Sequence, residues 1–355
     1  MDSVPPDTQP RLSICIPTHD GRAFVLDRAL RGVVEQLTGD TQRRVQVCIS
    51  DNGSRDGTQE VIERHRPALA GRLVEHRYED NLGFTANLLK VVELASGDFC
   101  WLLGSDDEIA DGAIAVVLEI LDRNPDLCGI TLNRLNVNDL QPQIVWGDDP
   151  RVLPPAGTAL MTSAEQIFAE LAMLQDYIST QIVYRDAWLA ATRELGPAGI
   201  AAAGIFPHIA ILGAMIKRTP RWWWHGEQLI IHRLGVEALD APYGRDLVDY
   251  TLKVTAERSR IWGDMFGKRS PVYKTAMRRI WRVQVHALAV AHLKLQAGQS
   301  LRSDLRLLTG LVRFYWILPE FWLRSFPVLL APHQAIRLAG QVVLRVRRIR
   351  AALAG

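Results

Sequence analysis

The sequence contains few cysteines, and no two of them are spaced as a zinc-binding pair. Four occur among 355 residues. Cys15, Cys48 and Cys100 lie in apolar, strand-like runs, and Cys128 follows a helix-like segment. Cysteines in apolar runs are usually buried thiols, whereas structural zinc sites need closely spaced ligand pairs. We therefore expect reduced, buried thiols instead of disulfides or metal ligands.

The N-terminal segment lacks the pattern of a signal peptide. Residues 1–10 are polar and rich in proline, with neither a basic region nor an apolar stretch. A secretory leader needs both of these features. We therefore expect the protein to be cytoplasmic.

The chain also lacks an apolar run long enough to cross a membrane. Residues 305–330 are dense in leucine and aromatic residues, but arginines and Glu320 interrupt them. A spanning helix needs about 20 mostly apolar residues. Aromatic residues interleaved with arginines are typical of a segment that lies in a membrane interface, which predicts a peripheral position on the inner face of the cytoplasmic membrane. The alternative is a pair of helices packed on the rest of the protein with solvated arginines.

Acidic residues are scarce near the C terminus. Residues 296–355 contain nine arginines and two acids, so this region has a net charge of +7 and the rest of the chain has −5. The basic region is suited to an anionic membrane surface. The acidic remainder would repel a polyanion, so we expect no nucleic-acid partner.

Residues 11 to about 132 alternate between strand and helix patterns. This alternation favours an α/β fold with a mostly parallel sheet and helices on both faces. We expect one domain over residues 11–235 and a helical C-terminal region over 246–355. Apolar runs predict strands at 12–17, 45–50, 73–77 and 98–103, and amphipathic periodicity predicts helices at 23–37, 85–95 and 112–123.

The loop after the first strand lacks the glycine patterns of common nucleotide sites. Residues 17–22 read Pro-Thr-His-Asp-Gly-Arg, with a single glycine. Neither the Gly-x-Gly-x-x-Gly loop of dinucleotide sites nor a phosphate-cradling Gly-x-x-x-x-Gly-Lys loop is present. A nucleotidyltransferase would also be expected to have a glycine-rich basic loop here, so this class is disfavoured.

Carboxylates follow two of the predicted strands, where open sheets bind their ligands. Asp51 directly ends the second strand, where a carboxylate can accept hydrogen bonds from a base or a ribose. The alternative is an Asx turn with a helix cap, which suits Asp56 better. Asn81 precedes a helix whose N-terminus favours an anion. Three consecutive acids at 106–108 follow the fourth strand; they either hold Mg²⁺ or Mn²⁺ or form a solvated turn.

Together these segments resemble the family-2 glycosyltransferases of the GT-A fold. The ordered motifs are Ile14-Cys-Ile-Pro-Thr-His, Asp51-Asn-Gly-Ser-Arg-Asp-Gly-Thr, Asn81-Leu-Gly and Gly97-Asp-Phe-Cys-Trp-Leu-Leu-Gly-Ser-Asp-Asp. The Gly-Ser-Asp-Asp form looks like the subgroup that includes abequosyltransferase-like enzymes of O-antigen assembly.

The resemblance implies roles for particular residues. Pro17, Thr18 and Asp51 would hold the nucleotide base and ribose. The family's D-x-D signature falls on residues 104–106, so Asp106 would bind the divalent cation (Mn²⁺ or Mg²⁺), supported by Asp107. The first acid of that signature is replaced by Gly104, which leaves ribose recognition open.

The resemblance also implies the reaction. A sugar would pass from a nucleotide-diphosphate sugar to a glycan or lipid-linked glycan acceptor, with inversion, in the assembly of a cell-surface polysaccharide or O-antigen. Residues 11–118 would bind the nucleotide sugar and residues 119–235 the acceptor. The alternative is a non-catalytic nucleotide-sugar-binding or scaffold protein with the same fold.

An acidic base is missing where the family usually has one, about a hundred residues beyond D-x-D. No acid lies between Glu194 and Glu227. His208 is the natural substitute, because imidazole titrates near neutral pH, although a structural histidine is equally compatible with the pattern. Asp176 is the second candidate. Arg233 follows a strand-like run and is a candidate cation for the donor diphosphate, with a packing role as the alternative.

Overall fold

The computed structural model describes residues 9–69, 71–138, 157–234, 247–296 and 300–339. They form two compact units, one within Met1–Asp240 and the other within Ala241–Gly355. The boundary falls between the predicted domain limits at residues 235 and 246.

The first unit is built on one nine-stranded mixed sheet. Its order is β3-β2-β1-β4-β8-β6-β9-β5, with β7 also paired to β9. The strands are β1 (Leu12–Thr18), β2 (Val45–Asp51), β3 (Leu73–Arg77), β4 (Phe99–Leu102), β5 (Asp107–Ile109), β6 (Gly129–Asn138), β7 (Ala159–Met161), β8 (Gln181–Tyr184) and β9 (Trp222–Leu234).

The first four strands are parallel to one another and form half of the sheet. The four predicted strands match β1 to β4 within one residue at either end. Every residue of β1 and β2 is buried, because helices cover both faces of a parallel sheet. This confirms the predicted α/β fold.

Helices alternate with the strands in the first unit and dominate the second. In the first unit they are α1 (Ala23–Val34), α2 (Asp40–Arg44), α3 (Thr58–His65), α4 (Phe84–Leu94), α5 (Ala113–Arg123), α6 (Ala164–Gln175), α7 (Arg185–Ala202) and α8 (Pro207–Arg218). In the second unit they are α9 (Leu247–Phe266), α10 (Pro271–Gln284), α11 (Ala287–Gln296), α12 (Leu301–Tyr315) and α13 (Phe326–Leu330), the last preceded by a π-helical turn at Phe321–Ser325.

The pairing of β8 with β4 positions the segment that completes the site. β8 pairs antiparallel with β4, with Trp101 opposite Ile182. The Trp101 indole N–H donates a 2.9 Å hydrogen bond to the backbone oxygen of Ser179. The segment before β8 is thereby held beside the loop that follows β4.

All four cysteines are buried and free, so the prediction of reduced, buried thiols is confirmed. Cys15 and Cys48 are partners in the β1–β2 register. Burial raises the pKa of the Cys15 thiol well above its ordinary value, so this thiol stays protonated and unreactive.

The described residues of the second unit form helices joined by short turns, as predicted for the C-terminal region; residues 340–355 lie outside the described residues. A buried lysine ties three of its helices together. Lys294 Nζ donates to the backbone oxygens of Leu329 at 2.6 Å and Ala331 at 2.7 Å, and lies 3.3 Å from Asp304. Within the described residues, no helix has both the length and the apolar character needed to span a bilayer.

Candidate active site

The carboxyl edge of the parallel strands brings the predicted donor residues together. Thr18 and Asp51 are register partners at the ends of β1 and β2, and Pro17 precedes Thr18. The Thr18 backbone oxygen accepts hydrogen bonds from the Asn52 N–H at 2.9 Å and the Asn87 side chain at 2.8 Å. The Thr18 hydroxyl is buried and has no hydrogen-bond partner among the described residues.

Asp51 is buried, with 1% of its surface exposed. One carboxylate oxygen accepts hydrogen bonds from the backbone N–H of Ser54, at 3.1 Å, and from the Ser54 hydroxyl. The other accepts a 2.8 Å bond from Gln59 and lies 3.4 Å from the Arg77 guanidinium. Asp51 therefore shapes the loop after β2, and a nucleotide that bonds to it must share or displace one of these donors.

Asn81 lies beside this edge, just before α4. Its side-chain oxygen accepts hydrogen bonds from the Asn52 side chain and the Gly83 N–H, both at 2.8 Å. The Asn52 backbone N–H also donates a hydrogen bond to the Thr18 backbone oxygen, so Asn52 links Asn81 to the end of β1. The four predicted donor residues of the first half are thus neighbours in the structure.

The three acids at 106–108, here called the acidic loop, span the turn after β4 and the start of β5, and each carboxylate meets different partners. Asp106 Oδ2 lies 2.5 Å from Arg22, in the loop after β1. Glu108 lies between two arginines, 2.9 Å from Arg28 Nε and 2.5 Å from Arg233 Nε. Arg233, the predicted diphosphate cation, is thus already paired with a carboxylate.

Asp107 points inward, with 2% of its surface exposed. It accepts hydrogen bonds from the Tyr177 and Ser179 hydroxyls, and His232 Nδ1 lies 3.0 Å away. The Tyr177 hydroxyl also contacts His232 Nδ1. Burial raises the pKa of Asp107 and of Tyr177. These three contacts use most of the acceptor positions of the carboxylate, so Asp107 has little capacity left to support a metal ion as predicted.

Gly104, at the position of the missing acid, lies in a confined space. A Cβ added there would lie 3.0 Å from Asp106 Oδ1, 3.1 Å from Asp107 Oδ2 and 3.1 Å from Ser179 Oγ. The Gly104 N–H donates a 2.9 Å hydrogen bond to the Ser179 hydroxyl. A side chain at this position would therefore require these three side-chain oxygens to move by a few tenths of an ångström.

Arg134 is a cation at this site that the sequence patterns did not identify. It lies on β6, and its guanidinium carbon is 4.1 Å from the centre of the Tyr177 ring. Within the described residues it forms no ion pair with a carboxylate. Its charge lowers the pKa of Tyr177, while Asp106 and Asp107 raise it. Arg134 therefore brings a positive charge to the acidic loop.

His208 and Asp176, the two candidate bases, are in contact. His208 Nε2 lies 3.0 Å from the Asp176 backbone oxygen; because a carbonyl only accepts, Nε2 carries the proton and Nδ1 does not. Nδ1 is buried and has no partner among the described residues. Burial lowers the pKa of His208 from 6.5 to about 3, so the imidazole is neutral at physiological pH. The Asp176 side chain is half-buried.

Comparison with known proteins identifies the family. Residues 13–187, from the second residue of β1 to just beyond β8, match the profile described as glycosyl transferase family 2. The chain belongs to this family.

Relatives of this family-2 glycosyltransferase align with about a third of it. The abequosyltransferase RfbV of Salmonella typhimurium is 36% identical over 116 residues, 33% of this chain and 34% of the relative. The PGL/p-HBAD biosynthesis glycosyltransferase of Mycobacterium bovis is 33% identical over 118 residues, 33% of this chain and 44% of the relative. The alignments thus cover about a third to two fifths of these relatives.

A solved structure extends the likeness in fold to nearly the whole chain. S. aureus TarS 1–349 in complex with UDP superposes with a TM-score of 0.53, covering 93% of this chain and 92% of that one at 13% identity. At this identity the likeness concerns the fold, which is that of the GT-A glycosyltransferases.

The acidic loop of this glycosyltransferase offers limited ligands for a divalent cation. Among the described residues, no three histidine, cysteine, aspartate or glutamate side chains are grouped to hold one. Asp106 retains 23% side-chain exposure and has one oxygen in the pair with Arg22. Mg²⁺ is commonly held by one or two carboxylates together with substrate phosphates. Asp106 fits that arrangement if the donor supplies the remaining oxygens.

Tyr177, Ser179, Arg22 and Arg134 are the site residues that the sequence patterns did not indicate. Tyr177 and Ser179 lie on one short segment directly after Asp176, and no motif marks them. Their role depends on the pairing of β8 with β4, which carries them to the acidic loop. Arg22 and Arg134 are far from that loop in sequence, and their spacing from it does not indicate that they belong to the site.

Proposed function

We propose that this protein transfers a sugar from a nucleotide-diphosphate donor to a glycan or lipid-linked glycan acceptor in the assembly of a cell-surface polysaccharide such as an O-antigen. The observation that carries the proposal is the convergence of Thr18, Asp51 and Asp106 at the carboxyl ends of neighbouring parallel strands, where open α/β sheets bind their ligands. The abequosyltransferase relative and the UDP complex of TarS support a nucleotide-sugar donor.

The nucleotide binds at the ends of β1 and β2 in this proposal. The buried Thr18 hydroxyl lacks a protein partner, and a base or ribose group would supply one. Asp51 and Asn81 hold the two flanking loops in place through their hydrogen bonds. A preformed cleft of this kind lowers the ordering cost of binding.

The diphosphate lies against the acidic loop. Asp106 is the proposed ligand of a Mn²⁺ or Mg²⁺ ion, which when bound would offset negative charge on the leaving diphosphate. Asp107 positions the loop through Tyr177 and His232. Arg134 and Arg233 add positive charge from the neighbouring strands β6 and β9.

The sugar transfer is a direct displacement at the anomeric carbon with inversion. The acceptor hydroxyl attacks as a base removes its proton, and the nucleoside diphosphate leaves. We assign the base to Asp176, because this half-buried acid directly precedes Tyr177 in the chain, whereas the neutral, buried His208 is a weak base with a pKa of about 3. His208 holds the Asp176 backbone in place through its 3.0 Å hydrogen bond.

A donor panel tests this function. Thermal unfolding is measured with UDP-, GDP-, CDP- and dTDP-sugars, each with and without Mn²⁺. A donor at about 100 times its dissociation constant adds about 2.7 kcal/mol to the free energy of unfolding. We expect one nucleotide to raise the melting temperature, and Asp106→Asn to remove the part of that shift that depends on Mn²⁺.

Asp111→Asn is the matched control, since Asp111 is an exposed acid a few residues further along the chain. It should leave the shift intact. If no donor stabilises the protein, or if donors bind without any sugar transfer to glycan acceptors, the non-catalytic scaffold becomes the better description.

A further inference from the structure

Two hydroxyls tie the segment before β8 to the acidic loop. The Tyr177 hydroxyl donates to Oδ1 of Asp107, and the Ser179 hydroxyl donates to Oδ2 of the same carboxylate. The Ser179 hydroxyl also accepts a 2.9 Å hydrogen bond from the Gly104 N–H. Since Asp107 directly follows Asp106 in the chain, one buried carboxylate holds this segment at two points beside the proposed metal ligand.

The side chain of Tyr177 is enclosed by charged and aromatic neighbours. The guanidinium carbon of Arg134 lies 4.1 Å from the centre of the Tyr177 ring. The His232 ring meets the tyrosine edge to face, with 4.7 Å between the ring centroids. His232 Nδ1 also contacts both the Tyr177 hydroxyl and Asp107. Contacts on the ring and on the hydroxyl together restrict the tyrosine to one orientation.

Asp176, the proposed base, directly precedes this tyrosine, and its backbone is held within its own segment. His208 Nε2 donates to the Asp176 backbone oxygen at 3.0 Å. The Leu174 backbone oxygen accepts hydrogen bonds from the Tyr177 N–H at 3.2 Å and from the Gln181 side chain at 2.8 Å. The backbone on both sides of Asp176 is therefore fixed, and the tyrosine side chain joins it to the acidic loop.

We propose that Tyr177 is a positioning residue for the sugar transfer: its bond to Asp107 sets the position of the Asp176 carboxylate relative to the donor diphosphate. The proposal rests on the proposed function, since it takes Asp176 as the base and Asp106 as the carboxylate beside the diphosphate. A base must lie within hydrogen-bond reach of the acceptor hydroxyl, and that hydroxyl must be aligned with the bond that breaks. Tyr177 connects the two parts of the site that meet these requirements.

Tyr177 acts through its neighbours and not on the acceptor itself. Its hydroxyl proton is donated to Asp107. Burial, together with the negative charge of Asp107, raises the pKa of the Tyr177 phenol well above its ordinary value. The phenol therefore keeps its proton at physiological pH and does not serve as a general base. Its removal would displace Asp176, and a misplacement of about 1 Å in an active site costs about a hundredfold in rate.

Kinetics and calorimetry of the full-length chain test this role. Turnover is measured with the nucleotide sugar that stabilises the wild type among UDP-, GDP-, CDP- and dTDP-sugars, with p-nitrophenyl glycosides as acceptors. Tyr177→Phe should lower kcat about 10- to 100-fold. The dissociation constant of the donor, measured by calorimetry, should change less than about twofold, because a displaced base affects the transition state and not donor binding.

A double-variant cycle shows whether Tyr177 acts through the base. Asp176→Asn alone removes the base, so adding Tyr177→Phe to it should lower kcat by less than about threefold more. Losses that multiply in the double variant would mean that the hydroxyl acts independently of Asp176, and they would overturn the proposal. A Tyr177→Phe enzyme with the kcat of the wild type, or one whose loss is confined to donor affinity, would overturn it as well.

Tyr184→Phe is the matched control, because Tyr184 is an exposed tyrosine at the far end of β8, and it should keep the kinetics of the wild type. If Tyr177→Phe fails to fold, Ser179→Ala replaces it. This variant removes the other hydroxyl from Asp107 and should lower kcat with the same small effect on donor affinity. A wild type without sugar transfer contradicts the proposed function itself, whereas an active wild type with a fully active Tyr177→Phe contradicts the positioning role alone.

Discussion

Arg22 and Asp106 form an ion pair between the segments that follow β1 and β4, with 2.5 Å between Arg22 Nη1 and Asp106 Oδ2. Arg22 follows β1 and Asp106 follows β4, and these two strands are parallel neighbours. The pair includes the carboxylate that we propose as the ligand of a divalent cation. A divalent ion that used Oδ2 of Asp106 would therefore compete with Arg22 for that oxygen.

Removing Arg22 should strengthen metal binding. In Arg22→Gln the carboxylate of Asp106 loses its competing cation, so the affinity for Mn²⁺ should rise about three- to fivefold, as expected for a partly exposed pair. Titration of Mn²⁺ by electron paramagnetic resonance, in the presence of a nucleoside diphosphate, measures this. Unchanged or weaker binding would mean that Arg22 assists the metal site instead of competing with it.

Restoring the acid at the first position of D-x-D should harm the protein. Gly104→Asp places a Cβ about 3 Å from two carboxylates and adds a third negative charge beside them. The free energy of unfolding should fall by about 1–3 kcal/mol, and donor affinity should not improve. Gly104→Ala adds the same Cβ without the charge, so urea denaturation of both variants separates crowding from repulsion. A more active Gly104→Asp enzyme would show that the loop can open.

Arg134→Gln should weaken donor binding. The variant removes a positive charge next to the acidic loop, so the dissociation constant for the nucleotide sugar should rise about tenfold or more. Arg193→Gln, on the exposed side of α7, removes an equal charge elsewhere in the same unit and should have little effect. Calorimetry with donor and Mn²⁺ tests both. Equal affinities in the two variants would remove Arg134 from the donor site.

The two candidate bases can be separated by kinetics. Asp176→Asn should lower kcat more than a hundredfold with little change in donor affinity, as expected for loss of a general base. His208→Gln keeps a donor for the Asp176 backbone oxygen and should lower kcat less than tenfold. A larger loss of kcat in His208→Gln than in Asp176→Asn would assign the base to His208. So would a pH profile of activity that follows a single ionisation and keeps it in Asp176→Asn.

His208 should make folding sensitive to acid. Its pKa is 6.5 when unfolded and about 3 when folded, so below pH 6.5 the unfolded chain binds a proton that the folded protein excludes. Stability is retained above pH 6.5 and falls as the pH drops towards 3, by about 1.4 kcal/mol per unit in the middle of this range.

Urea denaturation between pH 7 and 4.5 measures this slope. It should be smaller in His208→Gln, which does not titrate, and should persist in His292→Gln, which replaces an exposed histidine of the helical unit. Equal slopes in the wild type and His208→Gln would mean that the imidazole is protonated within the fold.

The sequence by itself determined the parallel strands β1 to β4 and the loops at their carboxyl ends. Apolar runs such as 12–17 and 45–50 predict strands from the local sequence alone, because a strand that is buried on both faces consists almost entirely of apolar residues. Because these strands are parallel, the residues at their carboxyl ends lie at the same edge of the sheet. Asp51 and Asp106 could therefore be assigned to one site before any contact was known.

The tertiary structure alone decided what each of these side chains does. Asp106 and Asp107 are adjacent in sequence, yet one meets Arg22 and the other is buried against Tyr177 and His232. Arg134 and Tyr177 meet through the pairing of distant strands, which no local pattern encodes. The pKa of His208 depends on its burial rather than on its neighbours in sequence. Contacts between distant segments, burial and the electrostatics that follow from them belong to the folded chain, because they depend on all the elements packed around each group.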